Sequence, residues 1–244
     1  MMKTSAIAGV AAIATTLGLI LSGCGSDTKT TEGSAKTSAS AESSKASTSE
    51  SAPKTTKPKV APRDEVTGGS GPNETIASYI EANGIQETPV KRGDPGSPTI
   101  DLPFPEGWED AGSDTPEWAY GAIVYTGPEA AEYTPSIVAL VSKLTGNVDP
   151  QQIIDLAPGE LQNLPGWSAS NEGQNSTLGE YPAYQLGGTW ESEGQTKIVA
   201  QKTVVIPGAD GLYVLQLNAD GLENQGDIVN AATEVIDAET KITP

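Results

Sequence analysis

The sequence predicts an α+β fold, in which helices cover a mostly antiparallel sheet to form an α/β/α sandwich. A helical pattern with a cap and a stop precedes the first short strands, and a second capped helix begins near the middle of the chain. Three strand-like segments then follow, roughly 181–192, 196–206 and 212–219, before a last amphipathic helix. Short Gly-containing turns separate those strands, which indicates hairpins and therefore antiparallel pairing.

The first helix is predicted from a cap, an apolar stripe and a stop. Asn73 is a suitable N-cap residue, apolar side chains recur within 76–80, and Gly84 can adopt the left-handed conformation that ends a helix. Two strands are expected after it, from Thr99 to Pro103 and from Trp118 to Tyr125.

A central strand is expected from Ile137 to Val141, which is apolar on both faces. Asp149 and Pro150 then predict a helix N-cap and first helical position, and Pro158 should kink or end that helix. The last helix of about four turns is predicted from apolar residues on one face. These residues are Ile228, Val229, Ala231, Ala232, Val235 and Ile236.

The N-terminus has the pattern of a lipoprotein signal peptide. A short charged start leads into an apolar run from Ala6 to Leu21, which ends in the lipobox Leu-Ser-Gly-Cys. We expect residues 1–23 to be removed and Cys24 to carry the lipid, which would hold the mature protein on the outer face of the cell membrane. The alternative is an ordinary signal peptide with an incidental cysteine.

Residues 24–71 are predicted to be a lipid anchor followed by a disordered tether. The segment is rich in Ser, Thr, Ala, Lys, Glu and Pro and has no aromatic residue, so it cannot bury enough apolar area to fold. Residues 72–244 are predicted to form one folded domain.

Composition argues against most catalytic chemistries. The chain of 244 residues contains no histidine, and its single cysteine is the predicted lipid attachment site. Ser-His-Asp and Cys-His arrangements, the usual zinc sites and histidine-bound haem are thereby excluded. We expect a protein that is not an enzyme and that uses neither a cofactor nor a metal. The net charge of −18 also argues against nucleic acid as a partner.

The order of four motifs resembles the LpqN/LpqT family of actinobacterial lipoproteins. The motifs are IDLPFPEGW (100–108), WAYGAIVY (118–125), LTGNVDP (144–150) and LQNLPGW (161–167). The resemblance covers the whole predicted domain and implies a Mog1/PsbP-like α/β/α sandwich. It also implies a non-enzymatic protein of the mycobacterial envelope that is linked to mycolate-lipid transport and envelope assembly.

Four aromatic residues are candidates for a ligand cleft, namely Trp118, Tyr120, Tyr184 and Trp190. Aromatic rings stack on sugars while nearby carboxylates accept hydrogen bonds from sugar hydroxyls, as trehalose would require. The alternative is that these rings belong to the core, as Trp108 and Trp167 are expected to do.

A pattern that begins at Asn218 and Asp220 vaguely resembles a calcium loop, but Leu222 falls where a third oxygen ligand belongs. We interpret this segment as a turn and helix cap.

The leading functional hypothesis is a monomeric binding or accessory module of the envelope, with a trehalose glycolipid or the mycolate transport and transfer proteins as partners. One alternative is a surface protein that contacts a host or a neighbouring cell. A carboxylate-dependent glycan hydrolase is a further alternative, and it would need two converging acids.

Overall fold

The computed structural model describes residues 71–244. The predictions for the signal peptide, for Cys24 and for the tether up to residue 70 lie outside the described residues. The helices are α1 (Ile76–Ala82), α2 (Pro150–Leu156), α3 (Gly159–Gln162) and α4 (Gly226–Glu239). The first strands are β1 (Gln86–Pro89), β2 (Thr99–Asp101), β3 (Trp108–Asp110), β4 (Gly121–Tyr125) and β5 (Ser136–Thr145). The later strands are β6 (Ser168–Ala169), β7 (Gln174–Leu178), β8 (Tyr181–Ser192), β9 (Gln195–Pro207), β10 (Leu212–Leu222) and β11 (Lys241–Thr243).

Nine of these strands form one sheet in the order β3-β4-β5-β10-β9-β8-β6, with β1 paired to β5 and β7 paired to β8. Every pair in it is antiparallel. The remaining two strands, β2 and β11, pair with each other. The predicted antiparallel sheet is therefore confirmed.

The three long C-terminal strands are joined by tight turns, as the sequence predicts. Between β8 and β9, Glu193 and Gly194 both have positive φ angles, 52° and 76°. Two successive residues of this kind form the turn whose twist matches that of a hairpin. These long strands fix the centre of the sheet.

Helices cover both faces of the sheet, which confirms the predicted sandwich. On one face, Val229 and Ile236 of α4 pack in a core cluster with Leu217 of β10. On the other face, Ile153 of α2 packs with Val205 of β9. We call these surfaces the α4 face and the α3 face, since α3 also lies on the second one. No helix within residues 71–244 is long and apolar enough to cross a bilayer.

The first helix begins two residues later than predicted. Thr75 is the N-cap, because its hydroxyl accepts a hydrogen bond from Ser78 N at 3.1 Å and Ser78 Oγ accepts one from Thr75 N at 2.9 Å. This reciprocal capping box satisfies two backbone donors, whereas Asn73 could have satisfied one. Asn73 instead donates from its backbone N–H to Asn163 Oδ1 at 3.1 Å. Gly84 does adopt the predicted left-handed conformation, with φ 60°.

The interpretation of Asn218 and Asp220 as a turn and helix cap is wrong. Strand β10 continues through both residues to Leu222, where the backbone still pairs with Lys197 of β9. Pairing along a long neighbouring strand outweighs the local turn preference of Asn and Asp. The cap at this end comes from Gln225, whose Oε1 accepts from Leu222 N at 2.9 Å.

A surface ion pair ties the β9–β10 turn to β5. Lys143 Nζ lies 2.5 Å from Asp210 Oδ2. Hydrogen bonding to Lys143 lowers the pKa of Asp210 below its ordinary value of 3.8, and the same bond raises the pKa of Lys143. The Asp210 contribution is therefore present above its unfolded pKa and is lost as the pH falls through the folded pKa.

We expect Asp210→Asn to lower the free energy of unfolding slightly at neutral pH and to leave it unchanged at a pH well below the folded pKa of Asp210. The Lys143 contribution is present below its unfolded pKa and disappears as the pH rises through the folded one. Urea denaturation of the wild type and of Asp210→Asn, from neutral pH down through the folded pKa of Asp210, tests the prediction. A difference that grew as the pH fell would contradict it.

Candidate binding site

Polar side chains lie on the α3 face of the sheet, where helices would normally be packed against apolar residues. Gln201 and Thr203 of β9 face the same side as Gln216 and Asn218 of β10, because both strands alternate and pair in register. Gln201 and Asn218 are each 6% exposed. Buried polar groups are costly unless they are satisfied, so such a group in the middle of a sheet indicates a function or a specific network.

The network converges on one carboxylate. Glu160 Oε2 accepts from Gln201 Nε2 at 3.2 Å and from Gln216 Nε2 at 3.3 Å. Gln201 Nε2 also donates to Asn218 Oδ1 at 2.9 Å. We call these four residues the polar tract. They place amide donors, amide acceptors and a carboxylate side by side, which is the set of groups that binds sugar hydroxyls.

Two close contacts hold Glu160 in this position. Its neighbour Gly159 approaches the backbone of Glu74 so closely that an added Cβ would lie 1.9 Å from Glu74 O. The following residue, Leu161, packs in a core cluster with Leu186 and Val199 of the sheet. These contacts fix α3 against the start of α1 and against the sheet, and they hold the Glu160 carboxylate over β9 and β10.

A small cavity of about 90 Å³ adjoins the tract. It is lined by Glu160 and Gln216, by Leu140 and Ser142 of β5, and by residues of α1 such as Ile76. Apolar walls and tract side chains therefore meet in one small depression beside Glu160.

An aromatic cluster with a lysine lies at the opposite end of the tract. Lys197 is 6% exposed, and its Nζ lies 5.1 Å from the Tyr133 ring centroid and 5.7 Å from that of Trp190. The Tyr133 hydroxyl donates to Asp220, and Ser136 Oγ donates to the other oxygen of Asp220 at 2.7 Å. Two aromatic rings this close to an ammonium group stabilise it by cation–π attraction.

Two of the four predicted aromatic residues lie on the α3 face. Trp190 and Tyr184 are both on β8 and both pack against the cluster formed by Leu161 and Leu164. The Tyr184 hydroxyl donates to Glu172 O at 3.3 Å. Of the other expected core residues, Trp108 is confirmed as core at 5% exposed.

The other two aromatic residues lie at the far end of the sheet. Tyr120 is buried in the core of the α4 face, and its hydroxyl accepts from Ile100 N at 3.1 Å. Trp118 precedes β4 and is 47% exposed. Because three strands separate β4 from β8, these strands are about 19 Å apart. The structure therefore does not bring the four residues into one cleft, and ligand contact by any of them stays a prediction.

The tract residues were not among the sequence candidates, although a signal for them exists. Gln216, Asn218 and Asp220 alternate with Leu217 and Ala219 along a strand that should be covered on both faces. Such alternation inside a buried strand marks a polar face. This polar face was not predicted from the sequence, because residues 218–220 were interpreted as a turn and helix cap. Within residues 71–244, no three His, Cys, Asp or Glu side chains are grouped so that they could hold a metal ion.

The architecture is thus that of a small antiparallel α+β sandwich with a polar tract beneath one short helix. The sequence profile of the family described as "Probable lipoprotein LpqN" matches residues 72–243. Lipoprotein LpqN of Mycobacterium tuberculosis (strain ATCC 25618 / H37Rv) is 52% identical over 175 residues, which cover 72% of this chain and 76% of that protein. The chain belongs to the LpqN lipoprotein family, as the motifs predicted.

Two solved structures are similar to this one to different degrees. The crystal structure of LpqN, described as involved in cell envelope biogenesis of Mycobacterium tuberculosis, gives a TM-score of 0.68 at 52% identity and covers 71% of this chain and 100% of that one. The Saccharomyces cerevisiae Ran-binding protein Mog1p gives a TM-score of 0.37 at 15% identity, with 64% of this chain and 95% of that one covered.

Proposed function

We propose that this protein is a membrane-anchored, extracytoplasmic binding module of the cell envelope, and that its polar tract holds the sugar head of a trehalose-containing glycolipid. The observation that carries the proposal is the convergence of Gln201 and Gln216 on the Glu160 carboxylate. Family membership supports the role in the envelope, and the predicted lipid on Cys24 would supply the anchor.

The chemistry of the tract favours an uncharged, hydroxyl-rich ligand. Amides both donate and accept, and a carboxylate accepts strongly, so together they match the alternating donors and acceptors of a sugar ring. An anionic ligand would be repelled by Glu160 and by Asp220. Trp190 lies on the same face and could offer an apolar surface to the C–H side of the sugar.

The same geometry supports binding rather than hydrolysis. Glycoside cleavage requires two carboxyl groups that face each other across the scissile bond, one of which is free to donate a proton. Glu160 is engaged by two amides, and Asp220 accepts from Tyr133 and Ser136. Both carboxylates are therefore already engaged as hydrogen-bond acceptors within the protein.

Calorimetry with a soluble trehalose monoester tests this proposal. We expect the wild-type protein to bind and Trp190→Ala and Glu160→Gln each to weaken binding about tenfold, since each removes one interaction of about 1.4 kcal/mol. Trp118→Ala is the matched control, because Trp118 belongs neither to the tract nor to the lining of the adjoining cavity. Equal losses for both tryptophan variants, or no heat with the wild type, would contradict the proposal.

A second candidate function is the binding of mycolate transport or transfer proteins. The observation that favours it is the exposure of two large apolar side chains, Phe104 at 54% and Trp118 at 47%. Exposed aromatic residues are common anchors of protein interfaces. In crosslinking experiments on the intact envelope, the Trp118→Ala protein should then no longer be linked to a partner, whereas the Trp190→Ala protein should still be linked. This is the reverse of the order expected for glycolipid binding, where Trp190→Ala is the impaired variant. Whole-cell surface labelling separates this from contact with a host or a neighbouring cell.

A further inference from the structure

The loop between β3 and β4, residues 111–120, carries an exposed tryptophan. The loop is closed at its base, where Ala111 N donates to Ala122 O at 3.0 Å. Ala119, the residue after Trp118, is buried in a small apolar cluster with Ala122. The Trp118 side chain itself is 47% exposed. Its ring is therefore presented from a fixed base, as an anchor for another segment of chain requires.

The surface around Trp118 is strongly acidic. We call this loop the acidic loop because it contains Asp114 and Glu117, neither of which has an ion-pair partner in the described part of the chain. Residues 93–142 hold nine Asp and Glu and neither Lys nor Arg. Arg92, with its Cζ 5.6 Å from the ring centroid of the loop's last residue, adds one positive charge. A tryptophan ring beside unpaired carboxylates attracts Lys and Arg through cation–π and charge attraction.

The chain itself supplies a segment of opposite charge shortly before the domain. Residues 53–63, which we call the basic segment, contain three Lys, one Arg and three Pro, and no Asp or Glu. They lie outside the described residues. Charge complementarity favours this segment over a second copy of the domain, because two acidic loops would repel each other.

The basic segment is long enough to reach the acidic loop. The described chain begins at Gly71, where an added Cβ would lie 2.1 Å from the Asn163 side chain at the end of α3. Gln201, which lies beneath α3, is linked to Ala122 by successive pairing across β10 and β5. The two residues therefore face the same side and lie about 14 Å apart. Arg63 is eight residues before Gly71, and an extended chain of that length spans about 26 Å.

We propose that the basic segment docks on the acidic loop of its own chain, with a lysine or arginine over the Trp118 ring and other basic side chains beside Asp114 and Glu117. This contact does not depend on the sugar site proposed for the polar tract. A partner protein that used Trp118 as an anchor would have to displace the segment, so the contact is autoinhibitory for that surface.

The contact depends on charge and on linkage. Ion pairs and cation–π contacts at exposed sites are individually weak. Because few residues join the segment to the domain, its effective concentration at the acidic loop is roughly millimolar. At about 1 M salt the Debye length is only about 3 Å, so the attraction should then be lost.

The test uses the chain from residue 24 onward with Cys24→Ser, which contains no other cysteine. Thr56→Cys then allows a nitroxide spin label to be attached within the basic segment. A nitroxide broadens the NMR signals of protons close to it, and the indole N–H of each tryptophan gives its own signal. We expect the Trp118 signal to lose about half of its intensity at low salt and to recover it at about 1 M salt.

Trp190 provides the internal comparison. It packs with Leu164, next to Asn163, and so lies close to the point where the chain enters the domain at Gly71. A segment without a preferred contact would therefore broaden the Trp190 signal at least as much as the Trp118 signal. We expect the opposite order. Equal broadening of the two signals, or stronger broadening of Trp190, would overturn the proposal.

Two charge variants test whether the acidic loop is the docking site. Asp114→Asn combined with Glu117→Gln removes two charges from the loop and should restore the Trp118 signal. Glu172→Gln combined with Glu180→Gln removes the same charge at the β7 end of the sheet and should leave the broadening unchanged. Broadening that persists in the loop variant, or that disappears in both, would contradict the proposal.

A second copy of the chain is the other occupant that the experiment distinguishes. Spin-labelled protein is mixed with isotope-labelled protein that carries no spin label. Broadening of Trp118 only in molecules that carry their own spin label supports docking within one chain. Broadening in the mixture would overturn it, because the segment would then come from another molecule.

Discussion

Replacing Gly159 by alanine is expected to lower the free energy of unfolding by about 3 kcal/mol. The new Cβ would lie 1.9 Å from Glu74 O and 3.4 Å from Thr75 Cα. Both of these are backbone atoms at the N-terminus of α1, so neither can rotate out of the way. Either α3 or the start of α1 must move, and urea denaturation of the variant measures the cost.

The same substitution should also remove ligand binding at the polar tract, because Glu160 is the next residue. Gly187→Ala is the control for glycine replacement as such, since it meets only ordinary contacts. We expect its free energy of unfolding to stay within about 0.5 kcal/mol of the wild type. If the two alanine variants were equally stable, the close approach of α3 to α1 described here would be wrong.

Leu215→Ala is expected to cost about 4 kcal/mol of stability. Leu215 is fully buried in the middle of β10, where it is paired with Val141 of β5 and Val204 of β9. Shortening it removes apolar contacts and leaves a cavity that rigid neighbouring strands cannot close. The midpoint of urea denaturation should fall without a change in slope.

Leu140→Ala provides the comparison, because Leu140 is on the adjacent strand β5 but is only partly buried and faces the other side. Leu140→Ala should lower the free energy of unfolding by less than half as much as Leu215→Ala. Equal losses would mean that β10 is not the centre of the core.

Turns and helix caps were predicted correctly from the sequence where a single local pattern determined the structure. The hairpin between β8 and β9 follows from Glu193 and Gly194, since few residue pairs tolerate two positive φ angles. The cap at Asp149 is confirmed, with its carboxylate accepting from Gln151 N at 2.9 Å. At the start of α1 two capping residues compete, and the reciprocal bonds between Thr75 and Ser78 favour the later one.

The candidate site could not be predicted to the same extent, because it depends on strand order. Glu160 meets Gln201 and Gln216 only after β9 and β10 have paired and α3 has folded onto them. Sequence reasoning can assign a side chain to a face, but the separation of Trp118 from Trp190 follows from three intervening strands. Because the candidate residues were selected for their aromatic side chains alone, they included residues that lie on separate parts of the sheet.

The pairing of β11 with β2 has a practical consequence for anyone who shortens this protein. The three residues of β11 pair with all of β2, where Ile100 is 2% exposed. Removing residues from Lys241 onward would leave β2 as a bare edge with an uncovered isoleucine. Unprotected edges of this kind recruit strands from other molecules, so the trimmed protein should aggregate during purification.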